Sequence, residues 1–209
     1  MAKALATQSR RRPLQARSKA TVQAILEATA YVLVRNGYER TSTNRIAQKA
    51  GVNIASLYQY FPSKDALVAA LIDQHLLEIK QLQAAELMAS AGRPLIEVLV
   101  RMATAYFGMH TTNPRLHRMI IEQVPRVGRL NPVVAFRREM TEQLGALFAN
   151  RREELGIKNP EVAAFIIVHL VDSLKQNCLL ERPEYMSDPA FLQELRDLLQ
   201  RYLERQPAK

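Results

Sequence analysis

Five X-Pro dipeptides constrain this chain more than any other feature: Arg93-Pro94, Asn113-Pro114, Asn131-Pro132, Asn159-Pro160 and Asp188-Pro189. Each precedes a stretch whose apolar residues recur at helical spacing. Proline is tolerated in the first helical turn, and an Asn or Asp before it can cap the free amides. The pattern marks five helix starts after residue 90 and leaves no run that alternates as a strand does. Gly37, Gly51, Gly92 and Gly156 fall where left-handed C-terminal turns would follow helices. The resulting expectation is an all-α chain, with helices at about 18–36, 43–50, 54–61, 63–89, 94–112, 115–123, 132–155, 160–180 and 189–205.

Charge divides the same chain in two. The net charge is +9. Residues 1–64 hold 11 Lys/Arg and 2 Asp/Glu, whereas residues 65–209 hold 18 of each. A basic third joined to a neutral remainder points to a polyanion-binding module and a second module with another task. Residues 1–16 show no apolar periodicity and are expected to be a disordered basic arm. Arg10, Arg11 and Arg12 in it could enter a minor groove, or simply add diffuse attraction. The expected modules are 17–64 and 65–209.

No continuous apolar run approaches the ~20 residues of a membrane span, and Glu27 interrupts the first apolar stretch, which argues against a signal peptide. The one cysteine, Cys178, cannot form an intramolecular disulfide, and a reducing cytoplasm fits best.

Within the basic module, Ser42 to Lys64 reads STNRIAQKAGVNIASLYQYFPSK. Ile46 and Ala50 lie one turn apart, Gly51 permits a sharp turn, Val52 enters a core, and Asn53 can cap a second short helix. On that helix Leu57 and Phe61 must form the buried stripe. At 100° per residue, Gln59 then points away from the core with Ala55 and Ser56 beside it, and Tyr58 and Tyr60 project to either side. Small and amide side chains toward base edges, with hydroxyls reaching phosphates on both flanks, are what a helix in a major groove requires. A helical hairpin in an ordinary core is the plainer alternative.

Residues 24–71 also resemble the tetracycline-repressor (TetR) family of bacterial transcriptional regulators. The resemblance rests on Gly37-Tyr38, Thr41 to Thr43, Ile46-Ala47, Ala50-Gly51-Val52, and Leu57-Tyr58 with Tyr60-Phe61 and Lys64. It implies a three-helix DNA-binding domain with a helix-turn-helix, followed by a larger helical ligand-binding and dimerisation domain. It further implies phosphate contacts from Tyr58, Tyr60, Lys64 and Ser42 or Thr43. Arg45, Ala55, Ser56 and Gln59 are the base-reading candidates, since Gln can bind adenine bidentately and Ala can touch a thymine methyl, and Asn53 at the start of the same helix is counted among the DNA-binding residues.

In the neutral module, Phe191, Leu195, Leu198, Leu199 and Tyr202 form one broad stripe on the last helix. The family likeness makes that stripe part of a homodimer interface. Polar or soft residues inside apolar helical runs are the candidates for binding a small, largely apolar ligand: Tyr106, His110, His117, Met119, Phe136, Met140, His169, Asp172, Asn177 and Cys178. For each of them taken singly, an ordinary core or interface role is the favoured reading. The four histidines make no local metal-ligand spacing, and no phosphate loop, serine elbow or paired carboxylates stand out. Neither a metal, a cofactor nor an enzyme activity is therefore expected. The expected function is a sequence-specific regulator, a ligand-responsive repressor on a palindromic double-stranded DNA operator, with a DNA-binding protein that senses nothing as the alternative.

Overall fold

The computed structural model describes residues 11–204, with side chains from Ser18 onward. Among the described residues there are helices and no strand. The order is α1 (Arg11–Arg40), α2 (Thr43–Ala50), α3 (Ile54–Tyr60), α4 (Lys64–Ala89), α5 (Leu95–Thr111), α6 (Pro114–Gln123), α7 (Leu130–Asn150), α8 (Pro160–Glu181) and α9 (Pro189–Leu203). The all-α expectation holds. Two compact units result, Met1–Ile72 and Asp73–Lys209, so the division falls within α4 and later than Lys64. The first ten residues of the expected arm lie outside the described residues. From Arg11 the backbone is already helical, so α1 begins earlier than the pattern from Ser18 implied.

The first unit closes around Ile25, Ala28, Val32, Ile46, Ala47, Leu57 and Leu67. Gly37 (φ 74°) breaks α1 before its last turn. Tyr38 beyond the break is buried and donates its hydroxyl to Asp65. The second unit has a larger core, centred on Phe107, Phe148, Leu95 and Ala164 with Leu199 and Leu203 from α9. There α7 packs along α8, α5 against α9, and α6 against α8.

Three of the five X-Pro sites behave as expected: Asn113, Asn159 and Asp188 each accept amide hydrogen bonds at the start of α6, α8 and α9. The other two differ. Pro94 has no side chain able to cap α5, and the free amide of Leu95 instead donates to Glu154, 3.1 Å away. Helix α7 starts at Leu130, before Asn131-Pro132, so Asn131 is inside the first turn and caps nothing. Gly156 is not left-handed; its amide donates to the Leu203 carbonyl at 2.8 Å, tying the segment after α7 to the end of α9.

By length and composition α8 is apolar enough to cross a bilayer, which a search for unbroken apolar runs passes over. In this fold its inner face (Ala163, Ala164, Ile167, Cys178 and Leu179) lies in the core of the second unit.

Candidate nucleic-acid interface and ligand cavity

Ser42 caps helix α2, its hydroxyl accepting from the Arg45 amide at 3.4 Å. The helix ends at Gly51, in the left-handed conformation (φ 68°), with the Gly51 amide bonded back to Ala47 and Gln48. A Cβ there would have open space around it, but a backbone conformation that L-residues adopt only at a cost. The turn delivers Asn53, whose side chain accepts from the Ala55 amide at 2.8 Å and starts α3. Leu57 is fully buried and Phe61 packs against the same core. That anchoring sets the outer face of α3: Ala55, Tyr58, Gln59 and Tyr60 are exposed, and Ser56 is half-buried.

Tyr58 shares a 3.0 Å hydrogen bond with Thr43 at the start of α2, so the two hydroxyls form one polar edge across the hairpin. Arg45 is exposed, with its guanidinium donating to the Arg40 carbonyl at 2.9 Å. Lys64 is half-buried: its ammonium donates to the Tyr38 carbonyl at 3.1 Å and lies 4.2 Å from the centre of that ring. An ammonium has three donors, so one internal bond leaves two for an anion. The arrangement is a helix-turn-helix whose second helix presents an amide and a methyl between two phenols.

The ligand candidates separate. Tyr106, Phe136 and Met140 line a cavity of about 380 Å³ in the second unit, together with Leu99, Met102, Ile167 and Val171. That volume suits a small molecule. At its polar spot the Tyr106 hydroxyl donates to Asp172 at 2.9 Å. The same carboxylate pairs with Lys175 at 3.0 Å and faces Arg137 at 3.6 Å. Burial alone would raise the Asp172 pKa, but Lys175, Tyr106 and Arg137 outweigh it and hold the group below the usual carboxylate range. Burial, reinforced by Asp172, pushes the Tyr106 phenol well above its ordinary value.

The remaining candidates are not among the residues lining this cavity. Asn177 is exposed. His169 stacks on Phe165 (ring centres 3.9 Å apart), an exposed residue of α8. His110 and His117 gather with His75 in a buried cluster drawn from α5, α6 and α4. No local spacing could reveal it, because the three residues come from three helices. Lys175 was likewise hidden within an apolar run. Cys178 is buried, which pushes its thiol pKa up and keeps it protonated.

The interface stripe also separates. Leu195 and Leu199 are buried in this chain's own core, and Phe191 packs partly buried against Phe107. Leu198 and Tyr202 are exposed. The broad stripe straddles the core boundary, so its inner edge serves the fold and only its outer edge is available to a partner.

Residues 25–71 match the tetR family of bacterial regulatory proteins, and residues 94–203 match the tetracyclin repressor-like C-terminal domain. The chain belongs to the TetR family. That family consists of bacterial transcriptional regulators of helix-turn-helix type, repressors among them. It is 44% identical over 55 residues to the uncharacterised HTH-type transcriptional regulator YvkB of Bacillus subtilis, covering 26% of this chain and 29% of that protein. To the nucleoid occlusion factor SlmA of Citrobacter koseri it is 31% identical over 118 residues, 51% of this chain and 57% of that one. The chain thus spans less than two thirds of the length of these relatives.

Among solved structures, the fatty acid degradation regulator FadR of Bacillus halodurans superposes with a TM-score of 0.70 at 17% identity, covering 85% of this chain and 93% of the other. NalD, the secondary repressor of the MexAB-OprM multidrug efflux pump in Pseudomonas aeruginosa, gives 0.69 at 23% identity, with 91% and 100% covered. At such identities the likeness is one of fold.

Proposed function

We propose that this TetR-family protein is a ligand-responsive repressor that binds a palindromic double-stranded operator as a homodimer. The outer face of α3 carries the reading: Ala55 and Gln59 flanked by Tyr58 and Tyr60, opposite the buried Leu57. Ala55, Ser56, Gln59 and Arg45 read base edges, while Tyr58, Tyr60, Lys64 and the Ser42–Thr43 start of α2 hold phosphates. Asn53 acts as the cap that fixes where α3 begins.

Two further observations support the rest of the reading. Val162, Phe165 and Ile166 on α8 and Leu198 and Tyr202 on α9 are large, apolar and exposed. Such residues on two long helices suit pairing with a second copy, which would present two reading helices to two half-sites. The cavity beside Tyr106, Phe136 and Met140 suits a small, largely apolar molecule, and the fold neighbour SmeT has been solved in complex with triclosan (TM-score 0.67, 20% identity). The protein acts by binding and not by catalysis, in the cytoplasm where its operator lies. Selection of bound duplexes from a random pool tests the reading. An inverted repeat should be enriched; enrichment of a single unrepeated element, or of nothing, would overturn it.

A further inference from the structure

His75, His110 and His117 are 9%, 1% and 8% exposed, and one ring nitrogen from each lies within 4.8 Å of the others. Their ring centres are 4.5 to 5.1 Å apart. Nothing in the reading of α3 or of the cavity uses them. Nε2 of His75 and Nε2 of His110 approach to 3.3 Å. Nδ1 of His110 lies 2.7 Å from the Tyr106 carbonyl, a contact only an N–H can make, so the proton is on Nδ1 and the lone pair on Nε2. In the metal-free protein a hydrogen bond from His75 to His110 satisfies that pair. It leaves Nδ1 of His117 buried with no partner, a costly arrangement for a polar atom.

We propose that His75, His110 and His117 form a binding site for one divalent transition-metal ion of the zinc class. Two nitrogens held 2.0–2.1 Å from a tetrahedral ion are about 3.3–3.4 Å apart, which is the separation of the two Nε2 atoms. Three imidazoles suit zinc, cobalt, nickel or copper and not magnesium or calcium, which take oxygen ligands. A ligating histidine needs its other nitrogen held by an acceptor. His110 has the Tyr106 carbonyl, whereas Nδ1 of His75 faces the Glu78 carboxylate at 3.9 Å, within ion-pair range but not hydrogen-bonded. His117 supplies the third donor through one of its ring nitrogens, and the fourth position stays open. Lys175 is the unfavourable charge nearby, and its ammonium is paired with Asp172 at 3.0 Å. The site draws on α4, α5 and α6, so a bound ion would clip three helices of the second unit together. The proposal is independent of the operator and ligand readings.

Cobalt(II) titration of the full chain, first stripped with a chelator, tests it. One equivalent per chain should produce the visible absorption of a four-coordinate cobalt ion, and zinc should abolish it. His110→Gln and His117→Asn should each weaken cobalt binding by more than the roughly 10–100-fold typical of an outer-contact change. His169→Asn, on the outer side of α8, should leave it unchanged. The unsubstituted protein decides even if a variant misfolds: no such band at one equivalent overturns the site. Binding that survives His117→Asn unchanged in a folded protein also overturns it.

Discussion

In the first unit the chemically active groups stand outside a small core: Leu57 and Ile46 are fully buried so that Gln59 and the two tyrosines of α3 can be exposed. In the second unit they lie inside a large one, where Asp172, Lys175 and Tyr106 meet beside a cavity and three histidines crowd between α4, α5 and α6. A surface for a polyanion needs solvated donors on a rigid frame, and it tolerates positive charge because water screens it. A pocket for a small molecule must bury its polar groups, and each buried group then needs a partner. The second unit is therefore the one whose stability is hostage to charge.

Acid provides the largest contrast. All four histidines of the chain lie beyond Ile72. Burial, with like-charged neighbours, lowers the pKa of His75 to about 3, His110 to about 2 and His117 to about 4. These folded values lie below the ordinary unfolded value near 6.5. As pH falls from about 6.5 toward 4, the unfolded chain binds protons that the folded chain refuses, so stability falls. The loss is on the order of 1 kcal/mol per pH unit for each histidine in metal-free protein. Hydrogen exchange at pH 7 and pH 5 should show protection lost first in Asp73–Lys209. Equal loss in both units would break the comparison.

Next in size is the buried ion network. Asp172→Ala leaves Lys175 without its partner, and breaking a buried pair this way costs about 3–5 kcal/mol. Asp172→Asn combined with Lys175→Met should recover much of that loss in urea unfolding. Arg45→Ala, an exposed cation of the first unit, should change stability by no more than about 0.5 kcal/mol. An Asp172→Ala variant as stable as the parent would show that the network carries no weight.

A third test divides one helix. Leu199→Ala removes buried methyl groups from the chain's own core and should cost about 2–5 kcal/mol without dissociating the proposed dimer. Tyr202→Glu with Phe165→Glu alters only exposed positions and should leave the chain folded but monomeric in sedimentation. A dimer that survives the outer pair would remove α8 and α9 from the interface.

The hairpin at 42–64 was legible because everything that shapes it is local. Ser42, Gly51 and Asn53 set the ends of two short helices, and helical geometry then places Leu57 inward and Gln59 outward. The second unit was legible only in outline. Proline marks found most of its helix starts, yet α5 is capped by Glu154 from 59 residues away, which no local pattern encodes. Apolar spacing placed Leu195, Leu198, Leu199 and Tyr202 on one stripe. It could not say where along that stripe the core ended. The histidine cluster joins residues 35 apart in sequence between His75 and His110, so inspection of short spacings passed over a cluster that tertiary packing assembles.

The central claim, that α3 reads sequence through the face carrying Gln59 while its tyrosines grip the backbone, is tested most directly by two substitutions measured on two duplexes. Affinity for the selected operator and for an unrelated duplex should be determined at one fixed salt concentration, since phosphate contacts are salt-dependent. Tyr58→Phe should weaken both complexes by the same factor. Gln59→Ala should cost about 1–3 kcal/mol on the operator and almost nothing on the unrelated duplex. If Gln59→Ala lowers both affinities equally, the face assigned to α3 is wrong.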